Sequence, residues 1–117
     1  SAISHVALGA LPEVFHLGRG AQHAVAQFGI FDAQGLDNLI WVWSPGAPDG
    51  KWAKPTKAFY PGGSFVDVVA EDVYGGDFQL RYYDELLGYR KPIALGEVGA
   101  LPSPEVMKAQ PRWLWFL

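Results

Sequence analysis

One carboxylate in this 117-residue chain stands between two glycines at the end of a short apolar run, Lys91-Pro92-Ile93-Ala94-Leu95-Gly96-Glu97-Val98-Gly99. Pro92 fixes its own backbone and biases the preceding residue toward an extended conformation, so the run predicts a strand. Strict alternation would put Glu97 on one face with Ile93 and Leu95. Because parallel α/β folds place chemistry at the carboxyl ends of strands, Glu97 is a candidate functional residue. The alternative is a solvent-facing glutamate without a role.

A second strand with chemistry-bearing residues at its end is predicted over Phe65–Tyr74, after the turn Tyr60-Pro61-Gly62-Gly63. Alternation places Asp72 and Tyr74 on the same face as three small apolar residues, Val66, Val68 and Ala70. Glu71 must point the other way, so these adjacent acids cannot share one site. Asp72 also has a structural interpretation, as a cap on nearby loop N–H groups.

The elements that must position these residues alternate along the chain. Strands are expected over 38–45 and 112–117, and helices over 21–31, 80–87 and 105–109, with Ser103 as the N-cap of the last helix. Such alternation predicts an α/β fold whose four parallel strands are joined by right-handed crossovers. Four strands are half of an eight-stranded barrel. We therefore expect residues 1–117 to form a single (β/α)₄ half-barrel domain.

Composition excludes several classes of function. Half of the residues are apolar and the net charge is −3 without a basic block, so neither nucleic acid nor a membrane is an expected partner. The chain has no cysteine, and its three histidines, His5, His16 and His23, do not form a metal-ligand pattern. We expect no metal and no cofactor. Residues 1–5 lack the pattern of a signal peptide, so the compartment stays unassigned.

The aromatic content is high, with five Trp, five Tyr and seven Phe. Most of these rings are expected in the core, but flat aromatic faces also suit sugars. Trp52 lies in the loop 46–56 and is interpreted either as a plug packed against the protein or as a ring presented to a ligand.

Five segments resemble glycoside hydrolase family 26, whose members are mostly endo-β-1,4-mannanases. They occur in the family's order and at its approximate spacing. They are Gly35-Leu36-Asp37-Asn38-Leu39-Ile40-Trp41-Val42-Trp43-Ser44-Pro45, Tyr60-Pro61-Gly62 with Val66-Asp67-Val68-Val69, Glu71-Asp72-Val73-Tyr74, Lys91 to Gly99, and Trp113-Leu114-Trp115-Phe116. The resemblance implies a (β/α)₈ TIM barrel of which this chain supplies strands five to eight.

The resemblance also implies roles for individual residues. Glu97 matches the nucleophile of a retaining mechanism, Tyr74 matches the phenol that contacts it, and Asp72 matches a position in the substrate cleft. We predict Trp43, Trp52 and Trp115 as further substrate-binding residues. The substrate would be a β-mannan-type polysaccharide, and the protein would be secreted if it is like the family.

The chain departs from the family where the second carboxyl group should be. A retaining glycosidase needs an acid/base group about 5–5.5 Å from the nucleophile. The family supplies it from a His-Glu-x-Asn-Gly-type motif, which this sequence lacks. Gly46 and Gly63 also replace expected polar residues. We therefore expect a glycosidase half-barrel that is weak or inactive alone.

Two alternatives remain open, a non-catalytic carbohydrate-binding half-barrel and a purely structural one. A four-stranded parallel sheet has two open edges and an uncovered apolar face. We expect a homodimer to complete the barrel, or else the missing half of a longer protein.

Overall fold

The computed structural model describes the backbone of residues 13–17, 21–47 and 56–117, and the side chains of 25–47 and 57–117. These residues form five strands and three α-helices. In chain order the elements are β1 (Glu13–Leu17), α1 (Ala21–Ala33), β2 (Leu39–Trp43), β3 (Val68–Val73), α2 (Leu80–Leu87), β4 (Ile93–Val98), α3 (Pro104–Ala109) and β5 (Trp113–Phe116).

All the described strands lie in one parallel sheet, in the order β1-β2-β3-β4-β5. Sequential order with helical crossovers is the arrangement of a barrel wall, and the α/β prediction is confirmed. The four predicted strands correspond to β2–β5. The prediction missed β1, which pairs with β2 from Glu13↔Leu39 to Leu17↔Trp43. Residues 1–20 have no clear periodicity, so the pattern gave no sign of this strand.

Local signals placed the helix ends well. The Ser103 side chain accepts a hydrogen bond from the Val106 N–H at 3.2 Å, and Pro104 follows at the first helical position, as expected for an N-cap. At the end of α2, Gly88 keeps a right-handed conformation. The left-handed residue is Arg90, with φ +56°. The expected start of β3 at Phe65 was early, because Gly63–Phe65 form a 3-10 turn.

The main core lies between the sheet and its helices. Trp43, Val69, Leu86, Ile93 and Leu95 are each no more than 2% exposed there. Rings and side chains from α1, α2 and α3 pack against them, namely Phe28, Phe31, Tyr83, Leu87 and Met107. Burying side chains of this size contributes about 1.5–3 kcal/mol each, so this layer holds the strands in place.

A smaller apolar cluster lies on the opposite face, which would be the inside of a barrel. It consists of Val42, Val68, Ala70 and Ala94, with Ile40 and Trp115 packed against it. The polar residues at the carboxyl ends of β2, β3 and β4 lie beyond this cluster.

Candidate functional site

Glu97 and Tyr74 meet at the carboxyl ends of β3 and β4. The Tyr74 hydroxyl donates a hydrogen bond to Oε2 of Glu97. Among the described residues, none donates to the other carboxylate oxygen, Oε1. Glu97 is half-buried and Tyr74 is 60% exposed, so the pair faces open space. A carboxylate held by one oxygen and free at the other can attack an electrophilic carbon.

The position of Glu97 corrects the expectation of strict alternation. Ile93 and Leu95 pack in the core beneath the helices, and so does Val98. The register between β3 and β4 passes from Glu71↔Leu95 to Asp72↔Glu97, so Gly96 is an extra residue. This β-bulge changes the parity of the strand. Glu97 therefore leaves the face of Ile93 and Leu95 and joins Tyr74.

Asp72 lies beside Glu97 and is fixed by the loop that follows β2. Its Oδ1 accepts a hydrogen bond from the Ser44 hydroxyl at 2.5 Å. Its backbone N–H donates to the Pro45 carbonyl, and its carbonyl accepts from the Ala47 N–H, each at 2.9 Å. The loop after β2 is thus tied to the end of β3. Sequence reasoning treated Ser44 only as the end of a strand, although its position next to Asp72 follows from the pairing of β2 with β3.

Two glycines make room for this arrangement. A Cβ at Gly96 would overlap the Ser44 hydroxyl and lie 2.8 Å from Oδ1 of Asp72. A Cβ at Gly99 would lie 3.0 Å from the Tyr74 ring. Real Cβ atoms essentially never have contacts as short as the two at Gly96. A side chain at this position would therefore displace the Ser44–Asp72 pair.

The three tryptophans predicted to bind substrate have different positions. Trp115 is half-buried and packs on the inner-face cluster, on the side of the sheet where Asp72 lies. Trp43 is 1% exposed in the core beneath the helices, with ring centroids 5.0 Å from Tyr60 and 5.5 Å from Tyr89. It cannot contact a polysaccharide, so this prediction is wrong; the run of apolar residues in β2 hid which face each ring takes. Trp52 lies outside the described residues.

Burial also acts on the tyrosines around Trp43. The pKa of Tyr60 is raised by desolvation. The pKa of Tyr89 is raised by desolvation and, to a lesser degree, by the negative charge of Glu85 and by Tyr60. These phenols belong to the helix-side core, not to the site.

His5 lies outside the described residues, and the side chains of His16 and His23 are not described. Within the described ranges, no helix combines the length and apolarity needed to cross a bilayer.

The family model for glycosyl hydrolase family 26 matches residues 25–117. This chain belongs to that family. It is similar to the mannan endo-1,4-beta-mannosidase of Thermothelomyces thermophilus, with 39% identity over 88 residues that cover 70% of this chain and 16% of that protein. It is also similar to the mannan endo-1,4-beta-mannosidase of Bacillus subtilis (strain 168), with 47% identity over 70 residues that cover 58% of this chain and 18% of that protein.

Solved structures of family 26 proteins agree in fold. GH26A from Muricauda sp. MAR_2010_75 superposes with a TM-score of 0.72 and 44% identity, covering 82% of this chain and 32% of that one. The GH26-CBM35 β-(1,4)-mannanase of Podospora anserina superposes with a TM-score of 0.60 and 35% identity, covering 83% of this chain and 22% of that one. The chain thus spans less than a fifth of those curated relatives and about a third or less of those structures. It is a family 26 chain that is similar to part of the length of mannanases.

Proposed function

We propose that this chain carries the nucleophile half of a retaining β-mannanase site, with Glu97 as the nucleophile and Tyr74 as its hydrogen-bonding partner. The observation that carries the proposal is the bulge at Gly96, which takes Glu97 out of the helix-side core and sets it against Tyr74. The mannan endo-1,4-beta-mannosidase relatives support β-mannan as the substrate class.

The phenol has a definite task in this reaction. By donating to Oε2, Tyr74 orients the carboxylate and leaves Oε1 to attack the anomeric carbon. As the glycosyl–Oε1 bond forms, the bond from that carbon to the leaving oxygen breaks. Negative charge moves from the carboxylate to the leaving group, which must then gain a proton.

That proton needs a second carboxyl group, and we propose that this chain does not supply it. Asp72 is adjacent to Glu97, but it accepts the Ser44 hydroxyl and thereby fixes the loop after β2. In our proposal Asp72 lines the cleft together with Trp115. Because loss of an acid catalyst costs about 10²–10⁴-fold in rate, the chain alone would hydrolyse mannan weakly or not at all.

An activated substrate tests the nucleophile without the missing acid. A 2-deoxy-2-fluoro-β-mannosyl fluoride loses fluoride, which needs no proton, and forms a covalent bond to the attacking carboxylate. We expect intact-mass and peptide analysis to find one glycosyl adduct on Glu97, while mannan releases no reducing sugar above background.

Matched variants make the labelling specific. Glu97→Gln should abolish the adduct, and Glu105→Gln, at an exposed position in the first turn of α3, should leave it unchanged. Tyr74→Phe should slow labelling without removing it. An adduct on another residue, or labelling that survives Glu97→Gln, would refute the proposed nucleophile.

The alternative function is binding without turnover, and the half-buried Trp115 on the inner face favours it. Affinity electrophoresis in mannan-containing gels separates the two. Retardation that persists in Glu97→Gln, without labelling of the parent chain, would indicate a non-catalytic carbohydrate-binding module.

We further propose that β1 and β5 pair with additional strands, from a second copy or from the rest of a longer protein. Exposed apolar side chains at and after the β5 edge support this, with Leu114 57% and Leu117 69% exposed. The presence of β1 changes the geometry of a homodimer. The described residues of two copies would supply ten strands, so an eight-stranded barrel built from both requires β1 of each to leave the edge.

A further inference from the structure

A groove of about 690 Å³ lies at the opposite end of the sheet from Glu97. It is bordered by the segments that enter β4 and β5 and by the last residue of α2, Leu87. Glu97 lies four positions after Ile93 along β4, which is roughly 13 Å at the usual rise of a strand. The groove is therefore separate from the proposed glycosidase site.

The groove carries a charge opposite to that of the chain. Its polar lining consists of Arg90, Lys91 and Arg112, and among the described residues that line it none is acidic. The whole chain has a net charge of −3. We call these three residues with their surroundings the basic groove. Its floor is apolar, since Ile93 is 2% and Trp113 8% exposed.

Hydrogen bonds fix the backbone at the two arginines of the basic groove and the side chain of its lysine. Arg112 donates its backbone N–H to the Tyr83 hydroxyl at 3.1 Å, and Arg90 donates its own to the Leu87 carbonyl at 3.1 Å. The Lys91 ammonium donates to the Gly63 carbonyl at 2.9 Å. Within the described part of the chain, neither guanidinium forms an ion pair or a side-chain hydrogen bond. Both forks are therefore available to a ligand.

Backbone strain at Arg90 is an independent observation. With φ +56°, it is the only residue other than glycine in the described ranges that has a positive φ. A long side chain in this region is uncommon, and such strain is typical of functional positions. Glycine would fit the same turn without strain. Arginine at this position thus has a conformational cost, and it is one of the residues that line the groove.

We infer that the basic groove binds a phosphate-class oxyanion, held by the forks of Arg90 and Arg112 with Lys91 beside them. Guanidinium groups match the geometry of phosphate oxygens with paired N–H donors. Arg90 and Arg112 are both exposed, so water screens their charge and the paired N–H donors must supply most of the selectivity for phosphate. Free phosphate and the phosphoryl group of a larger molecule present the same chemistry to these residues.

Titration with inorganic phosphate, followed by ¹H–¹⁵N NMR, tests this inference on the 117-residue chain. Ionic strength is kept constant with sodium chloride. We expect saturable shifts of the Arg90 and Arg112 side-chain Nε–H signals. A parallel titration with glycerol phosphate distinguishes the two sources: equal affinity indicates a phosphoryl group on a larger molecule, whereas binding of inorganic phosphate alone indicates the free anion.

Variants that each remove one positive charge distinguish specific binding in the basic groove from nonspecific attraction of phosphate to surface cations. Arg90→Gly, which also relieves the positive φ, and Arg112→Gln should each weaken phosphate binding about tenfold or more. Lys108→Gln, on the exposed side of α3 and outside the groove, should change it less than twofold. Shifts that do not saturate, or an equal loss of affinity in Lys108→Gln, would overturn the inference.

Discussion

Replacing Gly96 by alanine tests the packing from which the site is built. Gly96 does not have a positive φ, so alanine can adopt its backbone conformation. In that situation the change from glycine would by itself stabilise the fold by about 0.4–1 kcal/mol through the unfolded state. Any destabilisation must therefore come from the contacts of the added methyl group.

Those contacts are severe. The new Cβ would overlap the Ser44 hydroxyl, lie 2.8 Å from Oδ1 of Asp72 and 3.1 Å from Cβ of Ser44. Overpacking costs about 1–3 kcal/mol, and contacts this short place the cost in the upper half of that range, at about 2–3 kcal/mol. After the gain from the unfolded state is subtracted, a net loss of about 1–2.6 kcal/mol in the free energy of unfolding remains. Urea denaturation followed by tryptophan fluorescence measures this loss.

A double-mutant cycle identifies its source. Ser44→Gly removes both Ser44 atoms that Gly96→Ala would meet, so the double variant should recover at least half of the loss. Gly46→Ala is the matched control, because it lies in the same loop region and its added Cβ would have no heavy atom within 4 Å. Equal stability of Gly96→Ala and the parent chain, or additive effects in the cycle, would refute this account of the site.

Three further results are expected. Stability should fall as the pH rises above about 10, because burial raises the pKa of Tyr89 and Tyr60 in the folded chain and the phenols of the unfolded chain lose their protons first. Urea titrations from pH 8 to 11 measure this fall in the free energy of unfolding, and Tyr89→Phe should reduce it. Gln110→Leu should lower the free energy of unfolding, measured by urea denaturation, by about 2–4 kcal/mol, because it removes the hydrogen-bond partners of the Phe78 carbonyl and the Trp113 indole N–H. The control Gln34→Leu, at an exposed position, should change it little. If a second copy covers the β5 edge, light scattering should show a mass above that of one chain, and Leu114→Lys should lower it. A strict monomer at all concentrations would exclude a second copy as the partner of this edge.

Most of the fold could be predicted because its signals are local. The bounds of α2 follow from apolar spacing, and the start of α3 follows from Ser103 and Pro104. The edge strand β1 lacks such a signal. Its assignment depends on pairing with β2, and pairing between distant segments leaves no trace in the pattern of either one.

The same limit explains the error at Trp43. Strand β2 is apolar on both faces, as buried parallel strands are, so its sequence does not say which ring faces the helices. Trp41 and Trp43 both pack on the helix side, and the smaller Val42 lies on the inner face. The inner face of the sheet therefore carries a small side chain at this level, and the large rings pack between the sheet and the helices.

The direction of Glu97 could have been predicted from burial rather than from alternation. Strict alternation after Leu95 would bury the Glu97 carboxylate among aromatic and aliphatic side chains and turn Val98 away from the core. An unpaired buried carboxylate is among the most costly groups in a fold, and an exposed valine forgoes about 1.5–3 kcal/mol of burial. One extra residue corrects both, and only glycine at position 96 leaves room for Ser44 and Asp72 where the register shifts. The order of residues in Leu95-Gly96-Glu97-Val98 therefore favours the bulge. The bulge in turn places the Glu97 carboxylate on the face of the sheet away from the helices.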